Sequence, residues 1–126
     1  MLSKSRNIIL ALEIFFILLA IFVRMWNLNS LPPSLYWEEA ALGYDAYSIL
    51  KTGKDHHGNV MPLVAFESFG DWKPSLYFYA IVPFIAVLGL NAWAVRLPAA
   101  LAGVCIVFGV GKLSAIISEK LGEPPK

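Results

Sequence analysis

The chain has 126 residues, of which 58% are hydrophobic and 15% are charged, and its formal net charge is +1. Ordinary soluble domains carry about 25% charged residues, so a soluble fold would lack the polar surface to cover its core. The near-neutral charge gives no electrostatic basis for binding nucleic acid. The single cysteine, Cys105, excludes an intrachain disulfide and a cysteine-based zinc site. The composition therefore predicts a membrane protein with a few helices.

The first long apolar run predicts a transmembrane helix over residues 8–28, after a short N-terminus at 1–7 that contains Lys4 and Arg6. About 20 residues in a helix cross the hydrocarbon core of a bilayer. A cleaved signal peptide is the alternative. The apolar run ends at Arg24-Met25-Trp26, which does not look like a small-residue cleavage site. The pattern favours an uncleaved helix.

Residues 29–91 form the predicted loop between two membrane spans. A Pro32-Pro33 break precedes an amphipathic segment, and this segment predicts a juxtamembrane helix over about 37–52 that ends at Gly53. Residues 54–59 and 69–74 are predicted turns or loops, with a short extended piece over 60–66 between them. A second juxtamembrane helix is predicted over about 75–89, because this apolar stretch is too short for a confident span and contains Pro83.

A second transmembrane helix is predicted over residues 92–117, followed by a polar tail at 118–126. Lys4 and Arg6 precede the first span, and Lys112 and Lys120 lie at or after the end of the second, which favours both termini in the cytoplasm. The predicted fold is an all-α membrane protein of the plasma membrane. Its two transmembrane helices are joined by an extracytoplasmic loop with two juxtamembrane helices. If residues 75–90 also span, the C-terminus moves outside.

The acidic pair Glu38-Glu39 and Lys73 are the candidate site residues with the clearest chemistry. A carboxylate can accept the proton of an attacking hydroxyl or hold a divalent cation. Glutamates in a first helical turn also simply favour the helix dipole. Lys73 could contact an anionic head group or a phosphate, or be an ordinary interfacial lysine.

Two further groups have both a functional and an ordinary interpretation. Asp55, His56 and His57 could bind a metal ion, although adjacent histidines in a loop rarely chelate one ion. No cofactor is therefore certain, and a divalent metal is possible. Several aromatic side chains suit either sugar stacking or a membrane-interface belt: Trp37, Tyr44, Tyr47, Trp72, Tyr77 and Tyr79.

Four motifs in order resemble the N-terminal part of polyprenyl-phosphate-dependent membrane glycosyltransferases of the GT-C fold. The closest likeness is to glycosyltransferase family 39, which includes the protein O-mannosyltransferases, and to its bacterial aminoarabinose transferase relatives. The likeness covers about residues 8–118. The motifs are RMWNL at 24–28, PPSLYWEEA with GYDAYSILKTG over 32–53, DWKPSLY at 71–77 and AVRLPAAL at 94–101.

The resemblance implies roles for individual residues. The family has an acidic pair, usually Asp then Glu, and Glu38 stands where the family places its proposed catalytic aspartate, with Glu39 at the glutamate. A glutamate is one methylene longer, which moves the carboxylate by roughly 1 Å. Lys73 matches the family lysine thought to contact the lipid phosphate. Asp45 and Tyr44 are expected to support substrate binding.

The resemblance implies transfer of a sugar from a polyprenyl-phosphate donor to a hydroxyl on a lipid, glycan or protein, with membrane lipids as further partners. Family members are much longer than 126 residues. The sequence is therefore expected to be an N-terminal portion or truncated product that is inactive alone. The alternative is a small non-catalytic two-helix membrane protein that acts as a partner or regulator, with Glu13 and Arg96 in its helix contacts.

Overall fold

The computed structural model describes residues 2–122, with side chains from Asn7 onward. The side chains of Lys4 and Arg6, which helped to predict the orientation, lie outside the described residues, as do residues 123–126 of the predicted tail. The described part of the chain is mostly helical and contains these elements: α1 Leu2–Met25, α2 Trp37–Thr52, β1 Ala65–Ser68, β2 Asp71–Pro74, α3 Ser75–Leu88 and α4 Ala92–Gly122.

The chain divides into two compact units. Residues up to Trp26 and from Ala100 onward form the two-helix unit, and Asn27–Ala99 form the loop unit. Two segments are long and apolar enough to cross a membrane, Asn7–Met25 in α1 and Ala92–Gly122, which is α4. At 14 residues, α3 is apolar but shorter than such a span.

The two-helix unit presents most of its large apolar side chains outward. Leu18 is 60% exposed on α1, and Ile106 is 65% exposed on α4. Two charged side chains of α1, Glu13 and Arg24, lie against α4 instead. The Glu13 carboxylate lies 3.9 Å from Lys112 Nζ, and a Cβ at Gly103 would collide with the side chain of Arg24. Glu13 on α1 therefore faces α4.

The core of the loop unit forms where α2 packs against α3 and the first turns of α4. One apolar cluster centres on Ala46, Ile81 and Val95, each almost completely buried. Gly43 permits this approach, because a Cβ there would lie 2.7 Å from Val95 Cγ2. In a second cluster the rings of Phe66 and Phe78 stack 4.1 Å apart.

A two-stranded antiparallel sheet, β1–β2, replaces part of the predicted loop. Ala65 pairs with Pro74 and Phe66 with Lys73, so residues 71–74 are a strand and not the predicted irregular loop. Phe69 and Gly70 at the turn both have positive φ, 54° and 74°, as the tightest hairpin turns require. Phenylalanine seldom adopts such a φ, which is why the sequence did not predict a hairpin here. The hairpin places Lys73 on a strand directly before α3.

Hydrogen bonds from α3 fix the segment between α2 and the hairpin. The Tyr79 hydroxyl donates to the carbonyl of Pro62 at 3.1 Å, and the Ser75 hydroxyl donates to the carbonyl of Leu63. The Tyr77 hydroxyl donates to the carbonyl of Val95 at 2.9 Å, which joins α3 to α4 within the loop unit. These contacts join α3 to the segment before the hairpin and to the start of α4.

Candidate functional site

The start of α2 carries the acidic pair on two adjacent positions of one turn. α2 begins at Trp37, directly after the segment that contains Pro32 and Pro33. Successive residues of a helix point about 100° apart, so Glu38 and Glu39 meet different neighbours. Glu39 lies at the third helical position, where its carboxylate accepts the N–H of Tyr36 at 3.0 Å. This contact is one half of a capping box.

Arg96 is the main partner of Glu39. Its Nε and Nη2 donate to the two carboxylate oxygens at 3.0 and 2.9 Å, a bidentate pair. The same guanidinium donates to three backbone carbonyls, those of Leu28, Pro32 and Ser34, at 2.9–3.2 Å. Arg96 is only 6% exposed. One buried side chain therefore joins the start of α4, the start of α2 and residues 28–34, which we call the proline segment.

The ion pair with Arg96 favours the ionised form of the Glu39 carboxylate. The hydrogen bond from Arg96 holds the pKa of Glu39 below its usual value, against the opposing effect of burial. Both carboxylate oxygens are already engaged. The catalytic role of Glu39 stays a prediction; in this structure its contacts with Arg96 and Tyr36 hold the first turn of α2 in place.

Glu38 faces the hairpin instead. Its Oε2 lies 2.7 Å from Lys73 Nζ, and Asp71 Oδ2 lies 3.8 Å from the same nitrogen. The hydrogen bond with Glu38 raises the pKa of Lys73, so this side chain is an ammonium at neutral pH. The Glu38 side chain is 33% exposed and that of Lys73 is 18% exposed. The predicted base and the predicted phosphate contact are therefore direct neighbours that solvent can reach.

Asp45 lies two turns further along α2 and is completely buried. Its Oδ1 accepts the backbone N–H of His56 at 2.9 Å and lies 2.6 Å from His56 Nδ1. Among the described residues its Oδ2 has no hydrogen-bond partner. Tyr44 is 57% exposed, and its ring centroid lies 6.3 Å from that of His56. Asp45 and Tyr44 thus belong to a second group that is centred on His56.

The three residues considered for a metal site contact different partners. Asp55 accepts two hydrogen bonds from Asn59, His56 pairs with Asp45, and His57 Nε2 lies 3.0 Å from Glu67. Burial would raise the pKa of Asp55, but the bonds from Asn59 hold it below its usual value. Within residues 7–122 no three histidine, cysteine or acidic side chains converge as a metal site.

Sequence reasoning missed the role of Arg96 and of the hairpin. Arg96 lies 57 residues from Glu39 along the chain, inside an apolar run, where its position suggested a residue near the end of a span or in a helix contact, and no pairing with Glu39. The available signal was an arginine in an apolar run with a carboxylate pair elsewhere in the chain, because a buried guanidinium requires such a partner.

Comparison with known proteins gives no family model that matches the chain, no matching curated protein and no matching solved structure. The chemical interpretation of the site therefore depends on its own geometry and on the sequence motifs.

Proposed function

We propose that this chain supplies the first extracytoplasmic loop and the two flanking spans of a GT-C membrane glycosyltransferase. The sugar donor is a polyprenyl-phosphate sugar, and the acceptor is a hydroxyl on a lipid, glycan or protein. The observation that carries the proposal is the 2.7 Å contact between Glu38 and Lys73. A proton acceptor and a phosphate-binding cation within one site are the two groups that such a transfer needs.

In the proposed reaction the acceptor hydroxyl oxygen attacks the anomeric carbon of the donor sugar. The bond between that carbon and the phosphate oxygen breaks, and the polyprenyl phosphate leaves with the bonding electrons. Glu38 takes the hydroxyl proton. Lys73 stays charged and stabilises the negative charge on the leaving phosphate, which is the main electrostatic demand of the step.

The ion pair between Glu38 and Lys73 implies that the donor binds before the proton is transferred. While Lys73 is bound to Glu38, the ammonium occupies one oxygen of the carboxylate, so that oxygen is not free to accept a hydroxyl proton. A donor phosphate that takes over Lys73 releases Glu38 beside the acceptor. The base would therefore become active when the donor is bound.

The supporting residues fit the same proposal. Two of the five hydrogen bonds of Arg96 go to Glu39, in the turn that carries Glu38, and the other three go to the proline segment before it. α1 and α4 are long and apolar enough to cross a membrane. In the proposed topology they do so, with both termini in the cytoplasm of a plasma-membrane protein. A lipid-linked donor can then reach the loop from the bilayer.

The proposal predicts specific binding of a polyprenyl phosphate through Lys73. Undecaprenyl phosphate is titrated into nanodiscs that contain the protein, and binding is followed by the ³¹P resonance of its phosphate. We expect saturable binding that Lys73→Gln weakens about 10- to 100-fold, the value of a lost charge-assisted hydrogen bond. Lys51→Gln, an exposed lysine near the other end of α2, is the matched control and should bind as the wild type does.

Phosphatidylglycerol in the same nanodiscs separates this site from general attraction to anionic lipid. Equal binding by the wild type and by Lys73→Gln, or the same affinity for phosphatidylglycerol and undecaprenyl phosphate, would contradict the assigned role of Lys73.

A further inference from the structure

A pocket lies in the loop unit, along α2 from the Glu38–Lys73 pair. Its volume is about 380 Å³. Asp45 is seven residues after Glu38, which is about 10 Å along a helix axis. The pocket is lined by residues of α2, of the turn after it and of the hairpin, which include Trp37, Ala40, Tyr44, Asp45, His56 and Phe69.

Asp45 is the unusual group in this pocket. It is completely buried, and it lines the pocket. Oδ1 is engaged by the backbone N–H and the ring of His56, whereas Oδ2 is buried with no hydrogen-bond partner in the part of the chain that the structure describes. A buried carboxylate oxygen without a partner is unfavourable, because it has lost its hydrogen bonds to water and has formed none within the protein. Oδ2 therefore needs a hydrogen-bond donor, and a ligand in the pocket can supply it.

Aromatic rings form much of the remaining wall. The rings of Trp37 and Phe69 lie 4.6 Å apart and are inclined by 39°. Trp37, Tyr44 and Phe69 are each at least half exposed. Because these aromatic rings are already exposed to solvent, they can contact the apolar face of a ligand without a rearrangement of the protein.

We infer that this pocket binds a single pyranose ring. One hydroxyl of the ring donates to Asp45 Oδ2, and its apolar C–H face lies against the aromatic rings. Ligand pockets commonly have about 300–1,000 Å³, so a cavity at the lower end suits one sugar ring better than an oligosaccharide.

This binding site does not require the transfer reaction. A chain that transfers no sugar can still hold a ring at Asp45, and donor binding at Lys73 can occur with the pocket empty. The two are therefore tested separately.

The test is a titration of the full chain in nanodiscs with methyl α-D-mannopyranoside, methyl α-D-glucopyranoside and methyl β-D-galactopyranoside. The indole ¹⁵N–¹H resonance of Trp37, assigned with Trp37→Phe, reports on the pocket, and Trp26 reports on the two-helix unit. We expect a saturable shift of the Trp37 resonance with at least one pyranoside and no shift for Trp26. Asp45→Asn should weaken this binding about 10-fold or more.

Ala40→Leu provides a variant that leaves every hydrogen bond of Asp45 in place. Ala40 is exposed on α2 and lines the pocket, so leucine fills the space without disturbing the core. It should abolish the shift while the spectrum stays that of the folded protein. Glu119→Gln, an exposed carboxylate on α4, should leave binding unchanged.

Two results would overturn the inference. The first is a folded wild-type protein whose Trp37 resonance shows no saturable shift with any of the pyranosides, or the same shift in Ala40→Leu. The second is a saturable shift with tetramethylammonium and none with the sugars, which would make the pocket a cation site. Neither result alters the undecaprenyl phosphate titration, so failure here is distinct from failure of the proposed transferase.

Discussion

Replacing Arg96 with alanine is expected to lower the free energy of unfolding of the loop unit by about 3–5 kcal/mol, the range for removing one partner of a buried ion pair. The variant leaves the Glu39 carboxylate without its bidentate partner. It also leaves three carbonyls of the proline segment without the donor that now satisfies them. The loss is larger than that of a surface ion pair, because the guanidinium is only 6% exposed.

Hydrogen–deuterium exchange in detergent micelles measures this effect locally. Amides of residues 27–40 should exchange much faster in Arg96→Ala, with little change in α1. Lys120→Ala, in the last turn of the same helix α4, is the control. The double variant Arg96→Met with Glu39→Met should lose less than Arg96→Ala, because no charge is left unpaired. Unchanged exchange at 27–40 in Arg96→Ala would show that the guanidinium does not hold this segment.

Glu38→Gln is expected to reduce sugar transfer about 10²- to 10⁴-fold, the usual contribution of a general base. Glutamine keeps the size of the side chain and can still accept a hydrogen bond from Lys73, so folding and donor binding should change little. Glu38→Asp tests the length of the side chain separately. Because the resembling family has aspartate at this position, we expect Glu38→Asp to retain far more activity than Glu38→Gln.

The rate is measured as movement of labelled sugar from the lipid-linked donor to a non-lipid or acid-stable product in membranes of the producing cell. The complete gene of the transferase, which includes the sequence of this chain, is deleted in these cells and restored in its wild-type or variant form. Glu119→Gln serves as the carboxylate control. If Glu38→Gln transferred sugar at the wild-type rate, Glu38 would not be the general base, independently of the result for Lys73.

The helices follow from local sequence signals. Residues 37–52 carry helical spacing, acidic residues at the start and Gly53 at the end, and α2 occupies Trp37–Thr52. The predicted helix over 75–89 and α3 differ by a single residue at the C-terminal end. Both α1 and α4 contain apolar runs that composition alone identifies, although α4 continues to Gly122, beyond the predicted end at 117. In each case the signal lies within the segment itself.

The geometry of the site depends on contacts between residues that are far apart along the chain, and local sequence patterns do not encode such contacts. Glu38 and Lys73 are both identified by motif, yet their 2.7 Å contact requires the hairpin, and the hairpin depends on Phe69 adopting a positive φ. The partners of Arg96 lie 57 to 68 residues away along the chain. Hydrophobic periodicity describes which face of a segment is buried, and it says nothing about which distant polar group a buried charge will find.

The most direct measurement of the central claim is the level of polyprenyl-phosphate sugars in lipid extracts of the producing cell, determined by mass spectrometry. A transferase consumes its donor, so deleting the gene should raise one lipid-linked sugar, and its mass will identify the sugar class. Restoring the complete wild-type gene should return that lipid to its original level, whereas the same gene with Glu38→Gln should leave it raised. Identical lipid-linked sugar profiles in the deleted and restored cells would contradict the proposed function.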